Sequence, residues 1–436
     1  MYEAYITTIR EIHDHSNADR LKCVTIFGNN VIVDLSYYVG QRVIYFPVDG
    51  QLSKEFAEDN NLVRKKDENG NNIGGYLDPE KRNITAMKLR GEKSDGLVMP
   101  IEVLAKYTYI DKLKDGDRIS TLNGHEICCK YIPKKKQNNS QTNKVRSINK
   151  KELKETISYP FFTEHIDTEQ LAYNEGAFRV GDIIYITQKL HGTSFRVSNA
   201  VEITTKKRKG LAKVLHFKDK VSKKYTVVSG TRRVVLRNYD GGFYGNNNFR
   251  KKYNDMFAEL LPKGFTVYGE IVGYINEDTP IMPKCSNSKV KDKAFSRQYG
   301  EETIFTYGCE RGENDCYVYR ITVTNEDGIT VELPTEETKI WCERWGVKFV
   351  PILDKFIYTT WEDLNKRCEP YLDIPEPLAN GAHVTEGVVV RIDNRSKFTA
   401  YKTKSFAFKV LEGIIKDSAD SPDIEEAEEL IGDENG

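Results

Sequence analysis

The 436-residue chain carries 65 Lys and Arg against 65 Asp and Glu, so its net charge alone selects neither a polyanionic nor a polycationic partner. An apolar content of 39% with 11% aromatic residues excludes a wholly disordered chain, and the length predicts roughly two to three domains. No run of about 18 uncharged apolar residues occurs and the first residues lack a secretory pattern, so a soluble monomer of a reducing cytoplasm, with no membrane partner, is expected.

In chain order, residues 5–9, 21–26, 30–34 and 42–46 alternate apolar and polar side chains with the period of a strand, and Gly28-Asn29-Asn30 breaks the second from the third as a hairpin would. This order of strands resembles an OB-fold of the kind found in tRNA-binding modules, which implies an OB-like, nucleic-acid-binding β-barrel over residues 1–130. A polar excursion at 63–82 predicts a long loop or flap, and 87–97 returns the chain to order. Residues 131–154 turn to Lys, Asn, Gln and Ser and predict a basic linker. Beyond it, 155–416 mixes strands at 183–187, 225–228, 265–271, 316–324 and 387–392 with helices at 249–261 and 336–345. The end, 417–436, reads as an acidic tail.

Charge is segregated along this order. Residues 130–154 hold nine Lys/Arg and one acid, 206–224 hold nine and one, and 417–436 hold nine acids and no base. Two basic runs flanking one candidate site favour a polyanion. The eight cysteines show neither Cys-x-x-Cys nor zinc-type His spacing, which predicts free thiols. No Gly-x-x-x-x-Gly-Lys-Ser/Thr loop is present, which argues against a P-loop enzyme.

Gln188-Lys-Leu-His-Gly-Thr193 is by itself a common string. Its weight comes from four downstream segments in fixed order: Ser229-Gly-Thr-Arg-Arg233, Phe265-Thr-Val-Tyr-Gly-Glu-Ile271, Thr385-Glu-Gly-Val-Val-Val-Arg391 and Tyr401-Lys-Thr-Lys404. Each joins an apolar strand to one or two charges at its end, the way rigid strands aim charged groups at a triphosphate and a metal. Singly, each has a bland reading as a turn, a capped core strand or a solvated strand edge.

The ordered set resembles the covalent nucleotidyltransferases, the superfamily of polynucleotide ligases and capping enzymes. His191, where DNA ligases and capping enzymes carry Asp, is the form found in RNA ligases. The leading OB-like domain is similar to the group typified by the Deinococcus and Naegleria RNA ligases. DNA ligases and capping enzymes usually place an OB domain after the catalytic one; a non-catalytic RNA-binding protein is the remaining alternative.

The resemblance implies an α+β chain in which the OB-like barrel precedes a nucleotidyltransferase (ATP-grasp-like ligase) domain of antiparallel sheets flanked by helices. It implies an ATP-dependent RNA ligase that needs Mg²⁺ or Mn²⁺ and acts on RNA or an RNA-containing duplex. Lys189 is then the nucleophile that takes up AMP, a role that requires its neutral amine. Gln188, Leu190, His191, Gly192, Glu270 and Tyr319 line the nucleotide, with Phe305 or Tyr307 as alternatives to Tyr319 for stacking on adenine. Glu386 and Glu270 hold the metal. Lys402 and Lys404, two apart on one strand and so on one face, grip the α-phosphate. Arg232, Arg233 and Arg196 meet the 5′-phosphate of the acceptor strand.

Overall fold

A computed structural model describes residues 2–133, 155–207, 218–236, 239, 244 and 247–417. The basic stretch 134–154, part of the one at 206–224 and the acidic tail beyond 417 lie outside the described residues. Backbone contacts divide the chain into two compact units.

The first unit comprises residues 2–133, 287–295 and 404–417. Leu97–Pro100, Arg42–Phe46, Ala4–Thr8 and Arg118–Ile119 form a four-stranded antiparallel sheet. Smaller sheets join Glu11–Asp14, Leu21–Ile26 and Asn29–Asp34, and Cys128–Lys130, Gly50–Leu52 and Asn83–Ile84. Ile6, Ile44 and Phe46 pack with Phe56 and Leu104 in a fully buried core. Each such side chain contributes about 1.5–3 kcal/mol by leaving water.

The hairpin expected at Gly28 forms one residue earlier. Ile26 pairs with Asn29, and the two loop residues Phe27 and Gly28 have φ of 49° and 75°, the doubly positive backbone of a type I′ turn. The excursion at 63–82 is partly ordered, since Lys65–Lys66 pairs with Asn72–Gly74.

Helix Phe406–Asp417 belongs to this first unit, whereas the sequence grouping 155–416 puts it with the second. It buries Phe406, Phe408 and Leu411, and its lysines meet acids far away in sequence: Lys409 Nζ lies 2.5 Å from Asp95 and Lys416 Nζ 2.7 Å from Asp49. Neither pairing leaves a local signature, so composition cannot reveal it.

The second unit is α+β and mostly antiparallel. Its larger sheet runs in the order Val235–Leu236, Lys220–Gly230, Thr193–Lys206, Phe265–Asn276, Asn314–Thr324 and Thr330–Glu332, with three short strands off this path. A five-stranded sheet runs Glu169–Gln170, Ala400–Lys404, Gly387–Ile392, Ile183–Lys189 and Ile352–Ile357. Ile184 and Ile186 alternate onto one face with Val388, Val390 and Ile392, all buried. Helices Asn248–Leu260 and Thr335–Trp345 lie within two residues of their expected bounds.

The strand carrying Lys189 ends in the smaller sheet, and the strand beginning at Thr193 lies in the larger one. Leu190, His191 and Gly192 are therefore the crossing between two sheets.

Candidate active site

The crossing is tightly built. A Cβ on Gly192 would sit 2.2 Å from the Ile271 carbonyl oxygen, closer than any side chain tolerates, so only glycine fits. Its N–H donates to Glu270 Oε1 at 3.2 Å, and Glu270 pairs across the sheet with Ser194. The His191 N–H donates to Tyr307 Oη at 2.6 Å. Thr193 Oγ1 accepts from the fully buried Arg250 guanidinium at 2.5 Å.

Register delivers the second carboxylate. Lys189 pairs with Gly387, which puts the preceding residue beside the lysine: Lys189 Nζ lies 2.7 Å from Glu386 Oε1. The Glu386 side chain is 2% exposed and its Oε2 has no hydrogen-bond partner among the described residues, while Lys189 is 22% exposed. A buried carboxylate with one oxygen left over is poised to accept a further cationic or protic ligand.

Beneath this pair lies a layer in which Glu376 and His383 are residues that sequence reasoning missed. The Gln188 side-chain amide donates to the buried carboxylate of Glu376, and the Gln188 N–H donates to the Pro351 carbonyl at 3.0 Å. Burial, with the nearby charge of Glu386, raises the pKa of Glu376. Tyr307 is buried as well, and burial followed by the charges of Glu386 and Glu376 pushes its hydroxyl well above the usual range. His383, fully buried, packs its ring edge-on against Phe305 and Tyr307, and burial lowers its pKa to about 4. Glu376 and His383 stand outside the ordered segments and carry no periodicity that could have singled them out.

Several expected roles change with this geometry. Phe305 and Tyr307 are 1% and 2% exposed and form the floor under His191, so neither offers a ring face for stacking. Tyr319 is only half-buried. A bulge between Tyr268 and Gly269 makes it the extra residue of its strand, which re-aims a side chain. Its hydroxyl contacts His165 Nδ1 at 3.0 Å, and burial followed by the charge of Glu270 pushes its pKa strongly up. Leu190 is buried, and the Gln188 amide is committed to Glu376.

Arg196 does not fit a direct contact to substrate phosphate. It is 1% exposed, and its guanidinium donates to the carbonyls of Thr231, Phe162, Thr163 and Arg233 at 2.7–3.1 Å. It staples segment 162–163 to segment 231–233 instead. On that stapled loop Arg232 is 19% exposed and Arg233 46%, and both pair with Asp167. Lys402 pairs in parallel with Gln170 on its strand. Lys404 belongs to the first unit, where its ammonium lies 2.7 Å from Glu412.

The RNA ligase family model matches residues 182–411, more than half of the chain and the whole span from the lysine strand to the C-terminal helix. The chain belongs to the RNA ligase family. No curated protein matches this RNA ligase. Among solved structures it is similar to a mutant Naegleria gruberi RNA ligase with ATP and Mn, at 19% identity and a TM-score of 0.56, over 93% of this chain and 98% of that one. It is likewise similar to the Naegleria gruberi RNA ligase with PPi, at 19% identity and a TM-score of 0.54, over 93% and 97%. At these identities the likeness is one of fold. None of the eight cysteines of the ligase is in a disulfide, and among the described residues no helix is long and apolar enough to cross a membrane.

Proposed function

We propose that this RNA ligase uses ATP to seal a 3′-hydroxyl to a 5′-phosphate, at nicks with a 3′-ribonucleotide end, through AMP carried on Lys189. The observation that carries the reading is the contact of Lys189 Nζ with the buried Glu386, at a crossing where Glu270 holds the Gly192 N–H. That the Naegleria ligase of similar fold is seen with ATP, with Mn and with PPi supports the choice of nucleotide, metal and leaving group.

In this reading the Lys189 ammonium loses its proton and its contact with Glu386, and Nζ attacks the α-phosphorus of ATP. The P–N bond forms as the bond to the β-phosphate oxygen breaks, and pyrophosphate leaves with the electron pair. A 5′-phosphate oxygen of the acceptor strand then attacks the same phosphorus, and Lys189 departs and regains a proton. Finally the 3′-hydroxyl oxygen attacks the 5′-phosphorus, gives up its proton and displaces AMP. Lys402 stabilises charge on the α-phosphate, Tyr319 stacks on adenine, and Arg232 and Arg233 receive the 5′-phosphate.

Glu386 and Glu270 are the residues that would hold Mg²⁺ or Mn²⁺. Two carboxylates, one with a buried oxygen lacking a partner among the described residues, suit a hard cation that keeps most of its waters. When bound, such a cation offsets triphosphate charge and orients pyrophosphate for in-line departure. Binding of the RNA itself is assigned to the basic stretches and to residues 1–130, read as an OB-like domain.

The test is incubation with labelled ATP or GTP and Mg²⁺, followed by denaturation. Label from ATP that persists on the wild type and is absent from Lys189→Ala supports the reading. Label from GTP alone would indicate capping chemistry, and no label from either would indicate an RNA-binding protein. Equal sealing of 3′-ribonucleotide and 3′-deoxyribonucleotide nicks would refute the choice of end.

A further inference from the structure

Asp167 lies in the irregular segment 162–168, and its carboxylate engages both arginines of the facing loop. Oδ1 accepts from Arg232 Nε at 2.9 Å and from Nη2 at 2.6 Å, and Oδ2 accepts from Arg233 Nη2 at 3.2 Å. Two guanidiniums converging on the two oxygens of one anion is the geometry with which proteins also hold a phosphate. The frame around this clamp is rigid. Buried Arg196 ties the carbonyls of Phe162 and Thr163 to those of Thr231 and Arg233, and the His165 N–H donates to the Arg232 carbonyl at 3.1 Å. The carboxylate itself is not buried: the Asp167 side chain is 50% exposed. Two cations carried on a tied loop thus face a half-exposed anion.

We propose that Asp167 is an internal competitor whose carboxylate occupies the Arg232–Arg233 clamp until the 5′-phosphate of the strand to be sealed displaces it, so that it tempers the preference the two arginines create. The inference rests on the ligase reading above and adds an internal competitor to it. A terminal phosphate brings about 1.5 to 2 negative charges at neutral pH and three acceptor oxygens, so it outcompetes a single carboxylate for the same two guanidiniums. A 5′-hydroxyl end brings no charge and leaves Asp167 in place. The carboxylate also keeps the two like-charged arginines compensated in the absence of RNA. Exposed ion pairs are weak, which makes the exchange readily reversible. Tyr319 also meets this frame, its hydroxyl contacting His165 Nδ1 at 3.0 Å.

The full-length ligase without ATP is titrated with two nicked RNA duplexes that differ only in a 5′-phosphate or a 5′-hydroxyl at the nick. Wild type, Asp167→Asn and Arg232→Ala are compared by fluorescence anisotropy. Asp167→Asn keeps the shape and removes the charge. It is expected to widen the preference for the phosphorylated nick by roughly 3- to 10-fold, with binding of the hydroxyl nick changed by less than about 2-fold. Arg232→Ala is expected to abolish the preference. A preference that narrows or stays constant in Asp167→Asn overturns the proposal, because a carboxylate that merely orients the arginines would be missed rather than relieved. So does a preference that survives Arg232→Ala. Labelling of Lys189 by ATP, measured on the same preparations, reports separately on the ligase reading and is expected to be unchanged in Asp167→Asn.

Discussion

Lys189 Nζ and Glu386 Oε1 are 2.7 Å apart because the lysine pairs across the sheet with Gly387, the residue after the glutamate. The pair joins a partly open lysine to a carboxylate that is 2% exposed. Glu386→Gln keeps the shape, and it is expected to slow AMP transfer to Lys189 by about 10²–10³-fold, the usual cost of removing one preorganised charge from a reacting site. Single-turnover labelling at saturating ATP measures it, and a loss under about 10-fold would remove Glu386 from the chemistry.

Gly192→Ala tests the crossing rather than the charges. The added Cβ meets the Ile271 carbonyl oxygen at 2.2 Å, and that neighbour is main chain with nothing flexible to yield. The expected outcome is a destabilisation of about 1–3 kcal/mol by urea unfolding, with AMP transfer largely lost.

Arg196 and Arg232 separate a staple from a clamp. Arg196→Ala leaves four carbonyls on segments 162–163 and 231–233 without this donor, and a loss of about 2–4 kcal/mol in unfolding free energy is expected. Arg232→Ala removes an arginine whose ion-pair partner, Asp167, is half exposed, and a change of no more than about 1 kcal/mol is expected. Its effect should appear in transfer of AMP to the 5′-phosphate, while labelling of Lys189 persists.

His383 predicts a pH dependence with a defined sign. Burial lowers its pKa from the ordinary 6.5 to about 4, so between these values the unfolded chain binds a proton that the folded chain does not. The contribution of His383 to stability is therefore full above about pH 6.5 and falls as pH drops toward 4, by about 1.4 kcal/mol per unit. Urea unfolding of wild type and His383→Asn across roughly pH 4.5 to 7.5 is expected to differ in slope by about that amount between pH 4.5 and 6.5.

Much of the candidate site was legible in the sequence because its residues lie in or beside apolar strands: Lys189 ends one, Glu386 precedes one and Glu270 sits inside Phe265–Asn276. Lys189, Glu270, Glu386 and the Thr231–Arg233 loop could be picked out by their order alone, and the strands that hold them follow the period-2 apolar pattern that buries Ile184, Ile186, Val388 and Val390. What the sequence left open were partnerships between residues distant in the chain. Arg196 looks in sequence like any arginine beside a phosphate-binding motif, and only packing shows its donors spent on main-chain carbonyls. That Phe305 and Tyr307 are buried, and that Tyr319 sits at a bulge, depends on the neighbouring strands and could not be read from the chain.

The sequence by itself determined the family and the residues that could carry the chemistry, because covalent and ionic roles demand particular side chains in a particular order. Only the tertiary structure decided which of those side chains meet. It brought Glu386 to Lys189 through strand register, buried Glu376 and His383 beneath them, put Asp167 in the arginine clamp and assigned the Phe406–Asp417 helix to the first unit. Each of these is a contact across many residues of chain, set by the packing of whole sheets and not by local propensity.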